Sequence, residues 1–173
     1  RILEILADST NTIAEGEVMQ LVSCHDPDTT EQRYLDTIHN KTAKLFEAAA
    51  ALGVVISGGK PELETALARY GRHLGTAFQL VDDALDYSAS PAQLGKNIGD
   101  DLAEGKPTLP LLYAMWEGSA EQARIVREAI EKGGLERIEE ISAAIESTGA
   151  ITYTFALAEA EAAKAKEALG GLT

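Results

Sequence analysis

Cysteine, aromatic rings and long apolar runs are all scarce in this chain, and each scarcity removes a class of protein. A lone thiol, Cys24, cannot form an internal disulfide, so no disulfide framework holds the fold, and the residue reads as a core thiol. The longest apolar stretch, Ala48 to Ile56, falls far short of the roughly 20 residues a membrane-spanning helix requires, and the opening residues lack a signal-peptide pattern. A cytoplasmic location is the expectation. Aromatic residues make up 5% of the chain while Ala, Leu and Glu are abundant, which favours helices over sheets. Basic residues are few as well: 15 Lys and Arg face 28 Asp and Glu, for a net charge of -13. With no dense basic cluster, a nucleic-acid backbone and an anionic membrane surface are poor partners. Net charge does not exclude small anionic substrates, because bound metal ions invert the local sign.

What is present is enough for one globular domain: 173 residues, 45% of them hydrophobic and 25% charged. The pattern predicts an all-α fold of antiparallel neighbours joined by short connections. A first helix runs from the opening residues to about Cys24, with Ile5, Leu6, Ile13 and Leu21 among its apolar positions, and Asp26-Pro27-Asp28 stops it. Thr29 or Thr30 caps a second helix through Leu52 that carries Tyr34, Ile38, Leu45, Ala48, Ala49 and Leu52 at helical spacing. Pro61 starts a third, ending near Tyr87, and Ser88-Ala89-Ser90-Pro91 breaks the chain. From Gly95 through Pro107 the glycines and charges read as a functional loop. Helices are then expected from Thr108 to near Gly118, over 120–132, over 135–147 and over 150–169.

The residues with chemical potential fall in three clusters. In Phe78-Gln79-Leu80-Val81-Asp82-Asp83-Ala84-Leu85-Asp86, a helix places Gln79, Asp82, Asp83 and Asp86 within roughly a third of its circumference. Tyr70, Leu74, Phe78, Val81 and Leu85 occupy the opposite side. Like charges at this spacing cost about 0.2–0.5 kcal/mol per pair, and no Lys or Arg lies between Arg72 and Lys96 to relieve them. Carboxylate oxygens suit Mg²⁺, which completes its shell with water and substrate phosphates. A solvated polar face accounts for the same pattern. Lys41 and Thr42 form a second cluster, on a face the apolar stripe turns inward, able to meet a phosphate; a surface lysine fits equally. In the glycine-rich loop Lys96 could pair with a phosphate and Asp100 could accept from metal-bound water, with Asp101 and Lys106 alongside.

Taken in order, Lys41-Thr42, Phe78-Gln79-x-x-Asp82-Asp83-x-x-Asp86 and Gly95-Lys96-Asn97-x-Gly99-Asp100-Asp101-x-x-Glu104-Gly105-Lys106-Pro107-Thr108-Leu109-Pro110 resemble the C-terminal half of the trans-polyprenyl diphosphate synthases, most closely the bacterial octaprenyl type. Ala14-Glu15-Gly16-Glu17-x-x-Gln20-Leu21 matches too. The resemblance implies an all-α, antiparallel bundle of the isoprenoid synthase type, acting as a homodimer, with residues 1–173 a single, incomplete domain whose N-terminal part is missing. It implies Mg²⁺-dependent head-to-tail condensation of isopentenyl diphosphate with an allylic, farnesyl-type diphosphate, giving a long-chain polyprenyl diphosphate for quinone side chains. Asp82, Asp83 and Asp86 then correspond to the second aspartate-rich motif, which binds Mg²⁺, and Lys41, Thr42, Gln79 and Lys96 to residues that hold the allylic diphosphate. Asp100, Asp101, Lys106 and Gln20 stand around them. No residue is assigned catalysis beyond this binding.

The departures are also specific. No second D-D-x-x-D, no Arg-Arg pair and no N-terminal basic segment occur, so the chain shows about half of the family's active site. Arg1 opens directly in a helical pattern without an initiator Met. The expectation is therefore the retained part of a full synthase, inactive alone, in preference to a truncated non-catalytic partner subunit or a helical interaction scaffold.

Overall fold

In a computed structural model that describes residues 1–88 and 99–170, all regular structure among the described residues is helical. The elements are α1 (Ile2–Ser23), α2 (Glu31–Ile38), a π-helical turn (His39–Ala43), α3 (Lys44–Ile56), α4 (Pro61–Ser88), α5 (Asp100–Ala103), α6 (Leu109–Glu117), α7 (Ala120–Lys132), α8 (Ile138–Thr148) and α9 (Ala150–Ala168). None of these helices is long and apolar enough to cross a membrane. Boundaries follow local chemistry. The Thr30 hydroxyl accepts from the Arg33 N–H at the start of α2, and Ser119 and Gln122 form a reciprocal capping box on α7. Gly133 and Gly149 end α7 and α8 with positive φ.

The chain forms two compact units. The first comprises Arg1–Met19, Leu35–Gln79 and the described residues from Leu157 onward. Its centre is the close approach of three segments. A Cβ on Gly16 of α1 would lie 2.7 Å from the Asn40 carbonyl carbon and 2.8 Å from Lys41 Cα, and one on Gly75 of α4 would lie 2.6 Å from Ala43 Cα. Only the missing side chain lets these backbones pack. Around them Ala43, Ala48, Ala51, Val54 and Ala77 are buried, and the Phe46 and Phe78 rings sit 5.5 Å apart.

The second unit comprises the described residues of Gln20–Tyr34 and Leu80–Ala156. Its core gathers Tyr87, Leu102, Leu111, Val126, Ile130 and Ile141 with their neighbours, where α6, α7 and α8 pack pairwise. His25, at φ 62°, donates its backbone N–H to the Gly105 carbonyl at 2.8 Å, and its ring Nδ1 lies 3.1 Å from the Ile130 carbonyl oxygen. The Tyr113 and Tyr153 rings stack at 4.1 Å.

Several expectations need correction. The stripe that includes Phe78 and Leu85 is not the buried face of α4: these residues are 55% and 36% exposed, and burial instead follows Gly75, Thr76, Ala77, Leu80, Asp83, Ala84 and Tyr87. Helices approach most closely over small side chains, which decides the inward face here. Leu45 is exposed as well. Its helix is not uniform, because the π turn holds one residue more than α geometry and rotates everything after it. Leu6 and Leu21 of α1 are exposed, and the free Cys24 is only partly buried. Finally, α8 begins three residues late, at Ile138, and the loop region contains the single-turn α5.

Candidate functional site

Within the first unit the π turn presents Lys41 and Thr42. Lys44 donates its backbone N–H to the His39 carbonyl, the five-residue span that widens the turn. Against this turn α1 lies in close approach at Gly16. The Thr42 hydroxyl donates to Gln79 Oε1 at 2.9 Å, tying the turn to α4. Lys41 Nζ stands 3.1 Å from Glu17 Oε2 and remains partly accessible, while the Asn40 amide reaches Met19 Sδ at 3.3 Å. The structure thus joins Thr42 to Gln79, while the Lys41 ammonium beside them in sequence pairs with Glu17.

The second unit carries the aspartates. Three carboxylates on the last turns of α4 differ in their surroundings: Asp82 is exposed, Asp83 is 3% exposed and Asp86 is half-buried. Tyr34 donates its buried hydroxyl to Asp83 Oδ2 at 2.6 Å. Burial first, and then the Asp83 charge, pushes the Tyr34 phenol well above its ordinary value, so it is a hydrogen-bond donor throughout the physiological range. Asp86 accepts from the Asp101 N–H through Oδ2 at 3.3 Å, and its carbonyl accepts from the Gly99 N–H at 3.2 Å. These bonds attach the start of α5 to the end of α4.

Lys106 closes this region. Its ammonium lies 2.9 Å from Asp101 Oδ1 and 2.8 Å from Glu104 Oε2. Burial works against the Lys106 charge, but its hydrogen bonds to Glu104 and Asp101 outweigh that and hold its pKa above the usual lysine value. Asp100 is exposed and Gln20 half-buried. Lys96, together with Gly95 and Asn97, lies outside the described residues.

Among the described residues no three His, Cys, Asp or Glu side chains close into a ready cage for a metal ion. The donor set still fits a hard divalent cation. All the candidate donors are carboxylate oxygens, and a cation that keeps its own waters and takes phosphate oxygens needs only one or two of them. Sequence reasoning missed the hydroxyl of Tyr34, which it placed merely on an apolar stripe, and the backbone approach at Gly16. The seven-residue step from Tyr34 to Lys41 put both on one helix, but nothing in the sequence pairs Tyr34 with Asp83.

Comparison with known proteins follows the same lines. A family model described as polyprenyl synthetase matches residues 1–148. The chain is 54% identical over 170 residues to the octaprenyl diphosphate synthase of Haemophilus influenzae, covering 98% of this chain and 52% of that protein. It is 53% identical over 170 residues to that of Escherichia coli, covering 98% of this chain and 53% of that one. A polyprenyl synthase from Caulobacter crescentus, solved with calcium and isoprenyl diphosphate, is similar with a TM-score of 0.91 and 44% identity, over 98% of this chain and 52% of that chain. The chain thus spans about half the length of the curated relatives it matches. With most of its residues matched by that model, and with helices alone among those described, the chain belongs to the polyprenyl synthetase family.

Proposed function

We propose that residues 1–173 are the C-terminal half of a single isoprenoid synthase domain, and that the complete protein is a trans-polyprenyl diphosphate synthase. It joins isopentenyl diphosphate head to tail to an allylic, farnesyl-type diphosphate and releases a long-chain polyprenyl diphosphate for quinone side chains. The observation that carries this reading is the Asp82-Asp83-x-x-Asp86 motif at the end of α4, in a chain 53–54% identical to octaprenyl diphosphate synthases. The calcium and isoprenyl diphosphate of the Caulobacter protein support the ligand classes.

Ionising an allylic C–O bond leaves the departing charge on diphosphate, so groups that stabilise that charge lower the barrier. When bound, Mg²⁺ supplies positive charge opposite the diphosphate oxygens. Asp82, Asp83 and Asp86 would hold it, and none of them attacks the substrate. Lys41 supplies a point charge, and Thr42 fixes the amide of Gln79 with its oxygen already engaged. Lys96 is assigned to the same diphosphate by its place in the motif alone. Asp101 donates its N–H to Asp86 and pairs through its side chain with Lys106. A cytoplasmic homodimer completes the proposal.

The test is turnover of isopentenyl diphosphate with farnesyl diphosphate by the full-length protein, with and without a chelator. Mg²⁺ dependence is expected, with Asp82→Ala lowering kcat by roughly 10²-fold, the scale of losing one charge-stabilising contact in a transition state. Undiminished turnover by that variant would remove the metal site.

A further inference from the structure

Of the three aspartates at the end of α4, Asp83 alone is turned into the protein, and it is met there by a phenol. Tyr34 is 5% exposed and Asp83 3% exposed, with 2.6 Å between the hydroxyl and Oδ2. Packing does not require that hydroxyl, since Phe would fill the same volume. A buried carboxylate does require a donor, because removing its charge from water without a hydrogen bond is costly. The bond also limits Asp83 to one rotamer, on the same turn of helix as exposed Asp82 and one turn before Asp86. Asp86 is itself held by the Asp101 N–H. Asp83 and Asp86 are therefore each met by a protein donor from outside α4.

We propose that Tyr34 is a positioning residue for the metal-binding end of α4: its hydroxyl pins the Asp83 carboxylate, so that cation affinity depends on a group that never touches the cation. This rests on the reading of Asp82, Asp83 and Asp86 as a Mg²⁺-diphosphate site. Outer partners of metal-binding carboxylates act in this way generally, and their loss weakens metal binding by about 10–100-fold. A role in stability alone would lower the melting temperature and leave the metal requirement where it was.

The experiment is Tyr34→Phe in the full-length protein, with Mg²⁺ titrated against turnover. The Mg²⁺ concentration for half-maximal rate should rise at least about fivefold, toward the range expected for a lost outer partner, while KM for isopentenyl diphosphate stays within about twofold of its original value. An unchanged Mg²⁺ midpoint in the folded variant overturns the proposal. If that variant does not fold, wild-type protein carrying ¹³C-tyrosine at position 34 is titrated with Mg²⁺ and inorganic diphosphate. A resonance shift that saturates with binding supports the proposal, and a resonance that stays fixed at saturation overturns it. Wild-type turnover indifferent to chelator would instead defeat the metal-site reading itself, a result distinct from either of these.

Discussion

The Thr42 hydroxyl and the Gln79 side-chain oxygen, 37 residues apart in sequence, lie 2.9 Å from each other as donor and acceptor. With its oxygen occupied, the amide keeps its NH₂ as the donor end, the polarity that suits an anion. Gln79→Glu replaces that end with negative charge. It is expected to raise KM for the allylic diphosphate at least tenfold, equivalent to about 1.4 kcal/mol, with Thr42→Val producing a smaller rise. Steady-state kinetics at saturating isopentenyl diphosphate measures both, and an unaltered KM in Gln79→Glu removes this residue from the site.

Two glycines separate close approach from mere helix propensity. At Gly16 an added methyl group meets the backbone of Asn40 and Lys41, whereas at Gly53, inside α3, it meets nothing within 4 Å. Gly53→Ala should therefore stabilise the fold by about 0.5–1 kcal/mol, and Gly16→Ala should destabilise it by about 1–3 kcal/mol through overpacking. Urea denaturation of the two variants decides this. Equal effects would mean that α1 does not constrain the π turn.

Leu102, in the middle of α5, is fully buried among Tyr87, Leu111 and Ile130. Leu102→Ala is expected to cost about 2–5 kcal/mol, the range for emptying a core position, and to increase proteolysis between Gly99 and Lys106. Limited digestion followed by mass spectrometry reads the second effect. A cut pattern identical to that of the parent protein would show that burial of this one side chain does not anchor the segment.

Tyr153 gives a pH dependence with a definite sign. Its hydroxyl donates to Glu31 at 2.7 Å, and that hydrogen bond, with burial second, pushes the phenol up to about 12 from 10.0. A raised pKa means that the bond's stabilisation is complete below the unfolded value and is lost as pH climbs through the folded one. Tyr34 and Tyr87 are displaced in the same direction, chiefly by burial. The denaturation midpoint should fall between pH 10 and 12, and Tyr153→Phe should begin lower and fall less steeply. Parallel curves for the two proteins would contradict the assignment.

Most helices could be read from the sequence because their ends are chemically marked: Ser119 and Gln122 cap α7, Pro61 opens α4, and Gly149 separates α8 from α9. The motif residues were legible for a similar reason, since spacing alone puts Gln79, Asp82, Asp83 and Asp86 on one helix. What spacing could not show was which side of α4 is covered. Phe78, on the apolar stripe, is exposed, and Asp83, on the acidic face, is buried against Tyr34. Apolar periodicity ranks side chains by transfer energy, but neighbouring backbones settle over glycine and alanine, and a charged residue can follow them inward if a donor waits there. The π turn was invisible for a different reason: His39-Asn40-Lys41-Thr42-Ala43 contains no residue that distinguishes it from an ordinary helical stretch.

That turn makes the azimuth of Lys41 and Thr42 a matter of counting. Deleting one residue between His39 and Ala43 would let α2 and α3 fuse into a single regular helix, and each residue on the downstream side would swing by about 100° about the axis. The fused rod would keep its composition and gain conventional hydrogen bonding, yet Thr42 would no longer meet Gln79. The five-residue π turn between α2 and α3 is thus a spacer set by residue number, and drift in length at this point would be more damaging than drift in identity.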